Sequence, residues 1–185
     1  IWHSDPAYLE TPPLGAVLYA KELPPLGGDT LWSNMYLAHE ALLDGMKQLL
    51  AGLRGVNSSK KGTAAVGRQT RRDEAPRNLA DVYYEAGHPV IRTHPETGRK
   101  AIYANEGHTV RLKDMTETES EPILQFLFRH LVRPEFTCRF RWQAGSLAVW
   151  DKRCSQHYAM KDYHGHRRVM HRITLKGDEP KSTFA

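Results

Sequence analysis

Trp150-Asp151-Lys152-Arg153-Cys154-Ser155-Gln156-His157-Tyr158-Ala159 and, after a short spacer, Arg167-Arg168-Val169-Met170-His171-Arg172-Ile173-Thr174-Leu175 decide how the rest of the chain is read. The second part alternates with the period of a strand. Side chains two apart share a face, so Arg168, Met170, Arg172 and Thr174 point one way. Val169, His171, Ile173 and Leu175 point the other, and that side is expected to be packed. Two arginines on one face of a mostly apolar strand are costly to bury unless an anion meets them. The alternative is a surface strand whose arginines are solvated. His157, eleven residues before Arg168, is placed to bring a metal to the same region.

The other end of the chain supplies the complement. Trp2-His3-Ser4-Asp5-Pro6 carries an imidazole and a carboxylate at i and i+2. On an extended segment that spacing puts both on one face, close enough to chelate one ion. Two histidines and one carboxylate with open positions form the facial triad of non-haem Fe(II) oxygenases. An H-x-D alone is a weak signal. Joined to a distant histidine and an arginine eleven residues beyond it, the set is far more specific.

With these pieces in hand, the chain resembles the taurine dioxygenase family of Fe(II)- and 2-oxoglutarate-dependent oxygenases. The matching motifs are Trp2-His3-Ser4-Asp5, Gly27-Gly28-Asp29-Thr30-Leu31-Trp32, His88-Pro89-Val90-Ile91-Arg92-Thr93-His94-Pro95, Asn105-Glu106-Gly107, Arg133-Pro134-Glu135-Phe136, Trp150-Asp151, Gln156-His157-Tyr158-Ala159 and Arg167 to Arg172. They follow the family's order over nearly the whole chain. The resemblance implies a mainly β fold with flanking helices, the double-stranded β-helix or jelly roll, which agrees with the many short strands read below. It implies His3, Asp5 and His157 as Fe(II) ligands, Thr30 and Arg168 as contacts to 2-oxoglutarate, and Arg172 as the holder of the substrate's anionic head. A guanidinium fork suits a carboxylate better than an ammonium does. O2 is the remaining co-substrate.

The implied reaction hydroxylates a small organic anion. Taurine or another alkylsulfonate, losing sulfite and leaving an aldehyde, is the leading candidate. Departures from the family pattern bear on that choice. Taurine-specific relatives carry Phe after Asn-Glu-Gly where this chain has His108, and a Val that packs on taurine where this chain has Pro6. Both positions belong to the implied substrate pocket. Alkyl sulfate esters and aryloxyalkanoates suit an arginine clamp equally. A reading from another class is a β-helix domain that binds an anion or metal without turnover; the intact set of ligands and Arg168 counts against it.

Bulk properties agree with one domain. A length of 185 residues, 40% hydrophobic and 25% charged, describes an ordinary globular chain able to bury a core. No apolar run approaches the roughly 18 residues of a membrane span, so no membrane partner is expected. No leader is read at the start of the sequence. Cys138 and Cys154 do not form a CxxC, so a reduced, cytoplasmic setting is expected. The net charge of +5 invites a nucleic-acid reading. Its basic residues are scattered, however, apart from Lys60-Lys61 and the run from Arg68 to Arg77, and no recognition motif accompanies them. A small anionic substrate fits the charge as well. The resemblance also admits a homo-oligomer, and it implies a further segment ahead of the H-x-D, making residues 1–185 an oxygenase domain without that segment.

The remaining expectations follow the chain. Residues 1–10 read as an extended edge. Leu14 to Lys21 and Asp29 to Trp32 read as strands around a Pro-Gly turn. Ser33 to Leu53 reads as one amphipathic helix, ended by Gly55. Residues 54–87, with little periodicity, read as a mobile lid or insertion. His88 to Thr93 and Arg99 to Asn105 read as a hairpin, with His88 and His94 structural. Thr116 to Glu119 is a capping box opening a helix that Pro134 stops. Phe136 to Trp142 reads as a strand with Phe136, Cys138, Phe140 and Trp142 on its packed face.

Overall fold

In a computed structural model, residues 1–61 and 83–183 are described. The order of elements is β1 (Gly15–Glu22), β2 (Thr30–Asn34), α1 (Met35–Glu40), α2 (Asp44–Ala51), β3 (Arg54–Ser58), β4 (Glu85–Pro89), β5 (Ile91–Thr93), β6 (Lys100–Ile102), β7 (Thr109–Leu112), α3 (Glu117–His130), a 3-10 turn (Pro134–Phe136), β8 (Thr137–Phe140), β9 (Leu147–Asp151), β10 (Ser155–Ala159) and β11 (Val169–Leu175). Every strand pair is antiparallel. The sheets run β11-β1-β9, β10-β2-β8, β4-β3-β7 and β5-β6. This is the jelly roll with flanking helices that the sequence led us to expect.

Two of these sheets carry the chemistry-bearing residues. Between them lies an aromatic layer: Trp32 of β2 stands 5.4 Å from Trp150 of β9, and Trp150 stands 5.4 Å from His157 of β10. Against the outside, α1, α2 and α3 pack on β5, β6 and β7 through Met35, Ala38, Leu50, Ile91, Ile102 and Leu127, all almost fully buried. Large-to-small changes in such a core cost about 2–5 kcal/mol. Leu127→Ala, at a position with 0% exposure, is therefore expected to lower the free energy of urea unfolding by that amount.

Local chemistry sets the element ends. Asn34 ends β2 and caps α1 with its side-chain oxygen, accepting from the backbone of Tyr36 and Leu37. Thr116 and Glu119 close the reciprocal capping box of α3 as expected, a contribution of about 1 kcal/mol.

Several expectations need correction. The single helix over 33–53 is two short ones. Ala41 ends α1, and Leu43 takes an extended conformation before α2. Both pieces face one core, so the apolar periodicity runs across the break. The helical stretch also ends earlier than Gly55, which lies in β3. The ends of the expected lid at 54–87 are not loop, because β3 pairs residue by residue with β4. The centre of that span and the basic run from Arg68 to Arg77 lie outside the described residues. The strand over 88–93 breaks at Val90, whose amide donates to Leu53, and the chain there passes from one sheet to the next. Phe136 sits in the 3-10 turn, and Cys138 is exposed rather than packed.

The expected packed face of β11 is not packed either, and every residue of the strand from His171 to Leu175 is exposed. Ile173 is 65% exposed, and across the sheet Val149 is 63% exposed. Val17 of β1 pairs with both, so these residues share one face, which no described element covers. No described helix is long and apolar enough to cross a membrane.

Candidate metal and anion site

His3 does not sit on an extended edge. It makes a single antiparallel bridge to His157, with His3 N donating to His157 O at 3.1 Å and His157 N donating to His3 O at 2.9 Å. The chain then turns through residues 5–8, and the turn swings the Asp5 carboxylate back over both imidazoles. Backbone pairing across 154 positions thus fixes two of the three candidate ligands, and a turn delivers the third.

The resulting cluster is compact. His3 Nε2 lies 3.1 Å from Asp5 Oδ1, and His157 Nε2 lies 4.0 Å from Asp5 Oδ2. One ligating atom from each residue falls within 4.8 Å of the other two. His3 Nδ1 meets the Ile1 carbonyl at 3.0 Å, which places a proton on Nδ1 and leaves Nε2 free to ligate. Gly107 makes room for this histidine, since a Cβ there would stand 2.7 Å from His3 Cβ. Two imidazoles and a carboxylate suit Fe(II) or a similar divalent ion.

The surroundings shift the titration of Asp5 and His157. Burial is the largest single influence on Asp5 and opposes its ionisation. The close contact with the His3 ring and the charge of Arg172 are among the influences that overcome it, holding the carboxyl well below its usual range. His157 is pushed down to about 3, chiefly by burial and then by the neighbouring His3. His108 is pushed down to about 4, again chiefly by burial. Both are buried neutral at pH 7.

That burial carries a pH signature. A histidine whose folded value is depressed binds its proton later than the unfolded chain does. Stability of the metal-free protein then falls as pH drops from about 6.5 toward 4, with a slope of up to about 1.4 kcal/mol per pH unit for each group. His108→Phe removes one contributor. Urea unfolding at pH 4.5 to 7 is expected to show a shallower pH slope for that variant.

The other candidates fall around this cluster. Thr30 opens β2 on the face that carries His157, with Ala159 opposite. Its Oγ1 accepts from Trp142 Nε1 at 3.0 Å, so its own O–H is available to an acceptor. Arg168 lies just before β11. Its Nε and Nη2 are buried without a partner, and its guanidinium stands 5.8 Å from the Tyr163 ring. A Cβ on Gly28 (φ +74°) would press within 3.0 Å of the Arg168 side chain, so the glycine serves the arginine as well as the turn. Buried donors left unpaired are costly, and an incoming carboxylate would satisfy them.

Arg172 is placed differently from expectation. Its Nη1 donates to Asp5 Oδ2 at 3.0 Å, so it engages the carboxylate rather than standing free for an anion. Pro6 occupies the turn after Asp5, half-buried. His108 is buried beside the cluster, its ring 6.0 Å from that of His3 and 5.1 Å from that of Tyr8.

Sequence reasoning missed Lys152. Its side chain is 1% exposed, and Nζ donates to Asp5 O at 2.7 Å while standing 3.6 Å from Asp5 Oδ2. Burial pushes it down to about 8, against the pull of Asp5. Flanked by Asp151 and Arg153, it reads in the sequence as part of a solvated charge run. Ser4 was missed too; its Oγ donates to the Lys152 carbonyl at 3.1 Å.

A second group of candidate ligands, His94, Asp151 and Cys154, is chemically closed. His94 Nε2 lies 3.0 Å from Asp151 Oδ2, and His94 Nδ1 accepts from the backbones of Glu96 and Thr97. Arg153 binds both Asp151 oxygens. The structural reading of His94 stands, and so does that of His88, whose Nε2 meets the Leu9 carbonyl at 2.8 Å.

Comparison with known proteins matches residues 1–174 to the family described as taurine catabolism dioxygenase TauD, TfdA. The chain is 35% identical to an alpha-ketoglutarate-dependent sulfate ester dioxygenase of Pseudomonas putida, over 97% of this chain and 60% of that protein. It is 36% identical to an alkylsulfatase of Acinetobacter baylyi, over 96% of this chain and 56% of that protein. Among solved structures, a taurine dioxygenase from Burkholderia xenovorans matches with a TM-score of 0.82 at 36% identity, covering 97% of this chain and 57% of that one. AAD-2 in complex with Mn(II) and N-oxalylglycine matches with a TM-score of 0.86 at 27% identity, covering 99% of this chain and 71% of that one. The chain thus spans between 44% and 61% of the length of these and other curated relatives.

Proposed function

We propose, from the premise that this chain belongs to the taurine catabolism dioxygenase TauD, TfdA family, that it carries the Fe(II) and 2-oxoglutarate site of a dioxygenase acting on a small organic anion. The observation that carries this reading is the convergence of His3, Asp5 and His157 on one point, with Arg168, packed against Gly28 just ahead of Thr30, holding unpaired buried donors. His3, Asp5 and His157 would hold Fe(II), which together with bound 2-oxoglutarate would supply O2 activation, one oxygen atom ending in succinate as CO2 is lost and the other in a substrate C–H bond.

The chain's own residues do the rest. His3 and His157 would each offer a ring nitrogen to the ion, and Asp5 would supply the single ligand charge. Arg168 pairs with the far carboxylate of 2-oxoglutarate through a fork of N–H groups, and Thr30 donates its hydroxyl to the same co-substrate. Arg172 exchanges Asp5 Oδ2 for the anionic head of the substrate, orienting a C–H bond toward the metal. Pro6 and His108 line the pocket. Where the hydroxylated carbon bears a sulfonate, the C–S bond breaks to give an aldehyde and sulfite. Where it bears a sulfate ester, the C–O bond breaks to give an aldehyde and sulfate.

Taurine or another alkylsulfonate is one candidate substrate class. Alkyl sulfate esters have equal support, because the Pseudomonas and Acinetobacter relatives are named for sulfate ester chemistry. Free thiols at Cys138 and Cys154 favour a reducing, cytoplasmic setting.

The test is succinate release with Fe(II), ascorbate and 2-oxoglutarate across alkylsulfonates, alkyl sulfate esters and aryloxyacids. Stimulation of at least about tenfold by one class identifies the substrate group. Metal binding without stimulation by any of them would favour the binding-only reading.

A further inference from the structure

A lysine buried to 1% exposure is unusual, because its charge is costly to remove from water unless paired. Lys152 is spent on a single residue. Nζ donates to the Asp5 carbonyl at 2.7 Å and lies 3.6 Å from Asp5 Oδ2. Ser4 Oγ returns a bond to the Lys152 carbonyl, and the Lys152 amide donates to Leu14 O at 2.8 Å. These bonds stitch the turn that bears Asp5 to the β9–β10 turn, from which His157 follows in β10. On the carboxylate, Oδ1 faces His3 Nε2, whereas Oδ2 faces Arg172 at 3.0 Å and Lys152 at 3.6 Å, with His157 Nε2 at 4.0 Å.

Resting on the function proposed above, we infer that Lys152 is a positioning residue for Asp5. It fixes the backbone and the Oδ2 edge of the carboxylate, sets the orientation in which that carboxylate meets a divalent ion, and remains as resident counter-charge when Arg172 leaves to take a substrate anion. The role goes beyond the three ligands and the two arginines, since the Lys152 ammonium is engaged with Asp5.

The sign of one measurement separates this role from a simple field effect. By charge alone, deleting a cation 3.6 Å from the carboxylate would favour binding of a divalent ion. Positioning predicts the opposite. Loss of an outer partner of a metal ligand commonly weakens metal affinity by about 10–100-fold.

The experiment measures Co(II) affinity by chelator competition, with the Co(II) absorption bands and circular dichroism recorded alongside, for the parent, Lys152→Met and Lys152→Gln. Lys152→Met is expected to raise the Co(II) Kd at least about tenfold and to shift the bands while the far-ultraviolet spectrum stays parental. Lys152→Gln, which keeps a donor for the Asp5 carbonyl, is expected to recover part of the loss. Unchanged or tighter binding with parental bands in Lys152→Met overturns the inference. If that variant fails to fold, Lys152→Gln decides: weaker binding with shifted bands supports the role, and parental Kd and bands overturn it. A parent protein that binds no Co(II) would instead sink the metal reading of His3, Asp5 and His157.

Discussion

A His157→Ala variant is expected to release succinate at less than about 1% of the parental rate. Outer-partner losses already cost about 10–100-fold at metal sites, and His157 is proposed as a ligand itself. The loss has two parts. One imidazole disappears from a three-ligand set, and the histidine is also where the N-terminal segment is stitched down, its backbone exchanging both hydrogen bonds with His3. Alanine keeps those backbone bonds. The fold and the placement of His3 and Asp5 are therefore expected to survive, and the effect falls on metal affinity. Chelator competition with Co(II) and a parental circular dichroism spectrum check this. Parental turnover in a folded His157→Ala protein would remove the histidine from the site.

Arg168→Ala is expected to raise the KM for 2-oxoglutarate by at least about 30-fold, with Co(II) affinity unchanged. Removing one partner of a buried, hydrogen-bonded charge pair costs about 2–5 kcal/mol, and 1.4 kcal/mol is a factor of ten. The guanidinium is half-buried with Nε and Nη2 unpartnered, so it is poised for a planar, bidentate anion. Arg168→Lys is expected to recover only part of the affinity, because an ammonium cannot offer the parallel pair of donors. Steady-state kinetics with 2-oxoglutarate varied at saturating substrate is the check. An unchanged KM would mean that another cation holds the distal carboxylate.

How far the sequence carried the reading depended on whether a feature is local in chain or in space. Capping at Thr116, the strands around Val17 and Trp32, and the pairing of an H-x-D with a distant histidine are written in short spacings, and all appear in the structure. The direction of β11 was not legible. Alternation separates two faces but does not say which one other elements cover, and Ile173 and Val149 lie on the uncovered face of their sheet. Continuous periodicity from Ala38 to Leu50 hid the break at Leu43, because two helices on one core keep the same phase. Asp5 reaches the site by a turn rather than by strand alternation, a route that i and i+2 spacing does not reveal. Lys152 was hidden for a different reason. Its role depends on Asp5, 147 positions away, and nothing in Asp151-Lys152-Arg153 distinguishes a buried lysine from a solvated one.

The central claim is that one metal ion at His3, Asp5 and His157 creates the place where 2-oxoglutarate binds. Calorimetric titration of 2-oxoglutarate into the Mn(II)-loaded protein without O2 tests it most directly. One 2-oxoglutarate per chain is expected, with binding lost on adding a chelator and lost in Asp5→Ala. Binding of the same strength with and without metal, or none with metal present, would contradict it.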